Sequence, residues 1–196
     1  MRDESLVSVV REDLDGYPEA PFHPPAIFPE LGRICLQDQT ADLSNRVYPA
    51  VREALSRLDL DGERQGTAEW NPLDGLARRG SHVVLKPNLV YHRHPLGEGG
   101  VAAMITHASV IRPLIDYVLL ATGGDCRITI CDVPLQTADW QALIRSSGLD
   151  ELVAFYGTQS IDIDLLDLRY EISEKSRSGA IVHRDFQRRE IGRAHV

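Results

Sequence analysis

Two short strings hold the groups most suited to chemistry. Lys86-Pro87-Asn88 closes the apolar run that begins at His82, and Asp132-Val133-Pro134 closes the run from Arg127 to Cys131, with Gln136 and Thr137 just beyond. An ammonium, an amide and a carboxylate at the ends of two such runs suit an anionic, hydroxylated ligand or a bound cation. In that arrangement Lys86 pairs with an anionic group, Asn88 and Gln136 orient the ligand, and Asp132 acts as base or cation ligand. Pro87 biases Lys86 towards an extended backbone, so the chain leaves the run near its end. Lys86 and Lys175 are the only lysines among 21 basic residues, and a compact ammonium is not interchangeable with guanidinium.

Histidines add a second possibility. His92, His94 and His107 fall within sixteen residues, and with Asp132 they have the nitrogen and oxygen donors of a metal site. Spacing does not supply the ligand geometry, so a first-turn helix residue at His107 is the competing expectation. Thr106 and His107 would in either case stand at a helix start, His107 as a proton carrier near neutral pH. Gly97-Glu98-Gly99-Gly100 precedes that helix. Glu98 would repel a phosphate, and neither dinucleotide nor Walker spacing is present, so a lid is expected rather than a phosphate cradle.

These residues need a scaffold. Residues 5–11 are rich in β-branched side chains and predict a strand. Pro18, Pro21, Pro24, Pro25 and Pro29 then predict an extended surface loop. Val47, Val51, Leu55 and Leu58 recur at helical spacing over 46–58, and the polar stretch 62–80 reads as a long connection. Residues 82–86 predict a strand buried on both faces. Thr106 is expected to cap a helix over 107–122, with Pro113 kinking it or delaying its start and Gly123-Gly124 ending it. A strand over 127–131, a helix over 138–147 stopped at Gly148, and a helical period from Leu149 to Tyr156 follow. Residues 161–165 alternate apolar and acidic side chains, predicting a half-exposed strand. Residues 181–186 predict one more, expected to pair with a strand beyond this chain.

Strands alternating with helices define an α/β fold: a parallel or mostly parallel sheet from βαβ units, Rossmann-like and three-layered, with an N-terminal Pro-rich loop. Ligands of such sheets bind outside the carboxyl ends of the strands. If the first two strands are neighbours, Lys86, Asn88 and Asp132 share that rim, with Thr106 and His107 completing its wall.

Three segments, 84–90 (VLKPNLV), 105–112 (ITHASVIR) and 130–134 (ICDVP), resemble in order and spacing the domain-of-unknown-function 362 family. The resemblance runs from about Val7 to Arg189; Ala108 and Val133 depart from the proline and the small residue that family patterns often have there. It implies no single activity. Some members carry an iron–sulfur ferredoxin module on closely spaced cysteines, which implies a redox role in those members. This chain has no such cysteine run, so its cofactor is unknown and a cluster is expected only in a part beyond residue 189.

The 196 residues, 43% apolar and 26% charged, suffice for one domain with a sizeable core. A net charge of -8 argues against nucleic acid or an anionic membrane as partner. No apolar stretch approaches the about 18 residues of a membrane span, and the first residues lack a secretory pattern. Three cysteines without C-x-x-C indicate neither a disulfide framework nor a zinc knuckle, so a reducing cytoplasm is expected. Cys126 and Cys131 are expected to be packing, as are Trp140 and Tyr156. Residues 190–196 match the translation of a sequencing adapter, which predicts a single α/β domain over 1–189, incomplete at its C-terminus. The expected function is that of an enzyme domain binding a small anionic molecule; the alternative is a non-catalytic module for a metabolite or a partner protein.

Overall fold

In chain order the elements are α1 (Val47–Arg57), β1 (Ser81–Leu85), α2 (Glu98–Ala102), α3 (Ala108–Thr122), β2 (Cys126–Asp132), α4 (Trp140–Ser147), α5 (Leu149–Thr158), β3 (Ile163–Asp167), β4 (Glu171–Lys175) and β5 (Ile181–Phe186). They come from a computed structural model that describes residues 6–34, 36, 40–176 and 178–186; residues 190–196, expected to be an adapter translation, and Cys35 lie outside the described residues. Strands β1, β2 and β3 form a parallel sheet in that order, joined by α3 and by the α4–α5 pair. The fold is α/β, as the alternation of runs predicts.

Register decides which side chains meet. Val83, Ile128 and Ile163 lie side by side, as do Leu85, Ile130 and Leu165, and all six belong to the core under the helices. The opposite face carries His82, Val84 and Arg127, all exposed. Arg127 there holds Asp164 at 2.9 Å. The expectation that residues 82–86 are buried on both faces is therefore corrected: β1 is an edge strand, and Val84 is 55% exposed on the open face.

Helix α3 is the axis of the core. Ile111, Ile115, Val118 and Leu119 are buried along it, and fully burying such a side chain contributes about 2 kcal/mol. The helix runs unbroken through Pro113 and closes on Gly123 at φ 61, so the proline does not delay its start. The N-cap is His107, not Thr106. Leu89 bridges Ile105, and this pairing draws Thr106 to Asn88 instead, its Oγ1 accepting from Asn88 N at 3.0 Å.

The Pro-rich segment is an irregular strap with one short 3-10 turn over Pro29–Arg33. Buried charges fasten it. Glu30, fully buried, accepts from Tyr117 Oη at 2.8 Å and from Arg52 Nε at 2.7 Å. Arg112, 1% exposed, donates to Pro21 O at 2.9 Å and to Asp116 at 3.1 Å. Asp116 also accepts from Tyr48 and Tyr156 Oη at 2.8 and 2.6 Å. Burial, with Asp116 charged beside them, pushes both phenols well above their ordinary range.

Three more expectations are corrected. Residues 6–11 are not a strand: Leu6, Val7 and Val9 are largely exposed, and among the described residues no neighbour pairs with them, without which β-branched composition makes no strand. The third strand begins at Ile163 and extends to Asp167, two residues beyond the alternating stretch. Residues 181–186 form β5, but it pairs antiparallel with β4 in a separate hairpin. The polar string Glu171–Lys175 carries no apolar alternation, so that partner is invisible in the sequence.

Candidate functional site

At the carboxyl end of β2, Asp132 is nearly buried and its carboxylate is fully engaged. One oxygen accepts from Lys86 Nζ at 2.7 Å, the other from Leu89 N at 2.7 Å. Its backbone carbonyl accepts from Leu168 N at 2.9 Å. Asp132 thus ties together the chain leaving β1 and the chain leaving β3. The Lys86 side chain is 63% exposed, so its ammonium stands at the rim while its charge is partly balanced. Asn88 and Thr106 are joined to each other, Thr106 N donating to Asn88 O at 2.8 Å. Lys86 with Asp132 and Asn88 with Thr106 thus make two pairs, on segments joined through the Leu89 amide that Asp132 holds.

Gln136 and His107 make other bonds. Gln136 uses its carbonyl, which accepts from Ser173 N at 3.0 Å and Arg169 Nη1 at 3.1 Å, while the residue itself is exposed. His107 caps α3, its Nδ1 accepting from Ser109 N, and stacks on Tyr17 with ring centroids 4.0 Å apart. Burial lowers its pKa to about 4, so the imidazole is neutral at physiological pH.

Beyond these residues a groove of about 810 Å³ runs over the strand ends. Its wall takes residues 91–93 from the segment after β1, residues 137–141 after β2, Asp167 and Arg169 after β3, and part of the β4–β5 hairpin. Arg169, buried, pairs with Asp167 and donates to the carbonyls of Leu135, Gln136 and Ala138, pinning the loop between β2 and α4. Arg93 is exposed in the wall with no ion-pair partner among the described residues. Trp140 packs against the core as expected and, half-buried, also contributes to this wall; Tyr156 is core as expected. The stretch 97–100 is partly the short helix α2, and Gly100 is required there, since a Cβ would fall 2.0 Å from His94 Nδ1.

The histidines do not assemble a metal centre. Among the described residues no three His, Cys, Asp or Glu side chains are grouped to hold an ion. His94 Nδ1 accepts from Leu96 N. His92 Nδ1 accepts from Asp139 N at 2.9 Å, which places the neutral ring's proton on Nε2, as the Ser109 bond does for His107. A protonated nitrogen donates hydrogen bonds and cannot ligate a metal. His92 Nε2 is covered and has no partner among the described residues; burial, with Arg93 next to it, pushes the ring's pKa down.

Neither do the described cysteines fit an iron–sulfur cluster. Cys126 faces the core from β2, whereas Cys131 is an odd number of residues further on and points to the opposite face. Burial, and Asp132 beside it, raise the Cys131 thiol, the reverse of what a thiolate ligand needs.

Arg93, Asp167 and Arg169 were not among the expected site residues. The strand-end rule would have selected Asp167 and Arg169 had the third strand been read to its end; nothing in the sequence distinguishes Arg93 from eighteen other arginines.

The fold and groove define a parallel α/β domain with a polar cleft across the carboxyl ends of its strands. The chain belongs to the family described as a domain of unknown function (DUF362), whose model matches residues 83–191. No curated protein and no solved structure matches it. Among the described residues no helix is long and apolar enough to cross a membrane.

Proposed function

We propose that this domain binds a small anionic molecule in the groove over the carboxyl ends of β1–β3. The observation that carries this is the wall itself: segments following all three strands line one cleft, with the guanidinium of Arg93, unpaired among the described residues, exposed in it. Of the acidic side chains there, Asp167 is neutralised by Arg169 and Asp139 caps α4 through Ala142 N, leaving Glu174 exposed on β4. Lys86 lies outside this wall and is paired with Asp132, and Asp132 positions the segment that carries Arg93 rather than meeting the ligand. His107, its ring stacked on Tyr17, bonded to Ser109 N and neutral through burial, is given no proton-carrier role in this reading.

Inorganic phosphate is a suitable probe. Trp140 sits in the wall and the chain's other tryptophan, Trp70, is fully buried, so fluorescence reports the groove. Phosphate should give a saturable change that weakens about tenfold in Arg93→Ala, the loss of one charge-assisted contact. Lys86→Ala should weaken it less. No saturation at millimolar phosphate, or an unchanged affinity in Arg93→Ala, would refute the proposal.

A further inference from the structure

A second cavity, of about 490 Å³, opens beside the groove. Its wall includes Tyr17, His92, Glu98, Ile105, His107 and Ser146, and His92 belongs to the walls of both cavities. Its polar groups are of two complementary kinds. The bond from Ser109 N to Nδ1 leaves His107 a donor at Nε2, and the Glu98 carboxylate has no hydrogen-bond or ion-pair partner among the described residues. A metal is disfavoured because the tautomers of both histidines are set by backbone N–H groups. A second anion is disfavoured because Glu98 would repel it. Hydroxyl groups suit both kinds, accepting from the imidazole and donating to the carboxylate. Ile105 gives the carbon skeleton of such a ligand an apolar surface.

We propose that groove and cavity are two halves of one site, and that its ligand is a phosphorylated polyol. The phosphate lies in the groove by Arg93, and the hydroxyl-bearing carbons pass His92 into the cavity between Glu98 and His107. This rests on the anion-binding groove proposed above and adds the class of molecule that carries the anion.

The test compares inorganic phosphate with glycerol 3-phosphate by calorimetric titration of the full chain. Glycerol 3-phosphate should bind about tenfold more tightly than phosphate, from two added hydrogen bonds. Glu98→Ala should remove that advantage and leave phosphate affinity unchanged. His107→Asn, which keeps a good N-cap, should reduce it, and the thermal midpoint of each variant checks that the fold is intact. Equal affinity for the two compounds, or a Glu98→Ala variant that retains the advantage, overturns the inference while leaving the groove as an anion site. Failure of both compounds to bind overturns the groove proposal and this inference together.

Discussion

Replacing Asp132 separates positioning from ligand contact. In Asp132→Ala the Leu89 amide, on a residue with no solvent exposure, loses its 2.7 Å partner. Leaving such a donor unpaired costs about 1–3 kcal/mol, and a hydrogen bond to a charged group contributes about 1.5–3 kcal/mol. These two figures overlap, since both describe the same lost bond, so about 3 kcal/mol is the expected destabilisation. Asp132→Asn keeps an acceptor for Leu89 and should cost about 1 kcal/mol. Lys86→Ala should cost no more than about 1 kcal/mol, because the lysine is largely exposed and water can reach the carboxylate in its place. Urea denaturation measures all three: at a slope of about 2 kcal/mol per molar, Asp132→Ala lowers the midpoint by about 1.5 M. Slopes should be unchanged. A midpoint for Asp132→Ala within about 0.3 M of wild type, or a Lys86→Ala variant equally destabilised, would refute the assignment of Asp132 as the tie between the β1 and β3 exits.

Two further outcomes follow from the buried groups. The His107 pKa is lowered to about 4, against about 6.5 in the unfolded chain, so between these values the unfolded state holds more protons and stability falls as the pH drops. Partial solvent access reduces the effect, and His107→Asn should remove about 1 kcal/mol of the loss between pH 7 and pH 5; equal losses in variant and wild type by urea titration would contradict this. Asp116→Ala leaves Arg112 buried without its carboxylate and should cost about 3–5 kcal/mol, whereas Tyr156→Phe should cost about 1 kcal/mol. A Asp116→Ala cost below about 1 kcal/mol would show that the network does not fasten the strap.

Much of the scaffold was legible because local patterns carried it. The periodicity of residues 47–58 and of α3, the glycines at 123 and 148, and the two runs ending at Lys86 and Asp132 each report their own element. The pairing of Lys86 with Asp132 was legible too, through the rule that neighbouring parallel strands share a rim. Properties that depend on a partner were not. The β-branched residues 6–11 look like a strand until the absence of a neighbour among the described residues is known, and Glu171–Lys175 becomes one only beside β5. The capping of α3 passed from Thr106 to His107 because Leu89 pairs with Ile105, a contact made sixteen residues apart in sequence.

By itself, then, the sequence determined the α/β alternation, the chemical types at the strand ends and the family to which the chain belongs. Tertiary structure decided which of those groups are free to act. Asp132 is consumed in holding two loops, His92 and His107 are made donors by backbone amides, and Arg93 is left in a cleft with no ion-pair partner among the described residues. Each outcome is set by which hydrogen-bonding partners folding brings within about 3 Å; those of Asp132 and His92 come from distant positions that no local pattern records, whereas the Ser109 amide on His107 is a local cap.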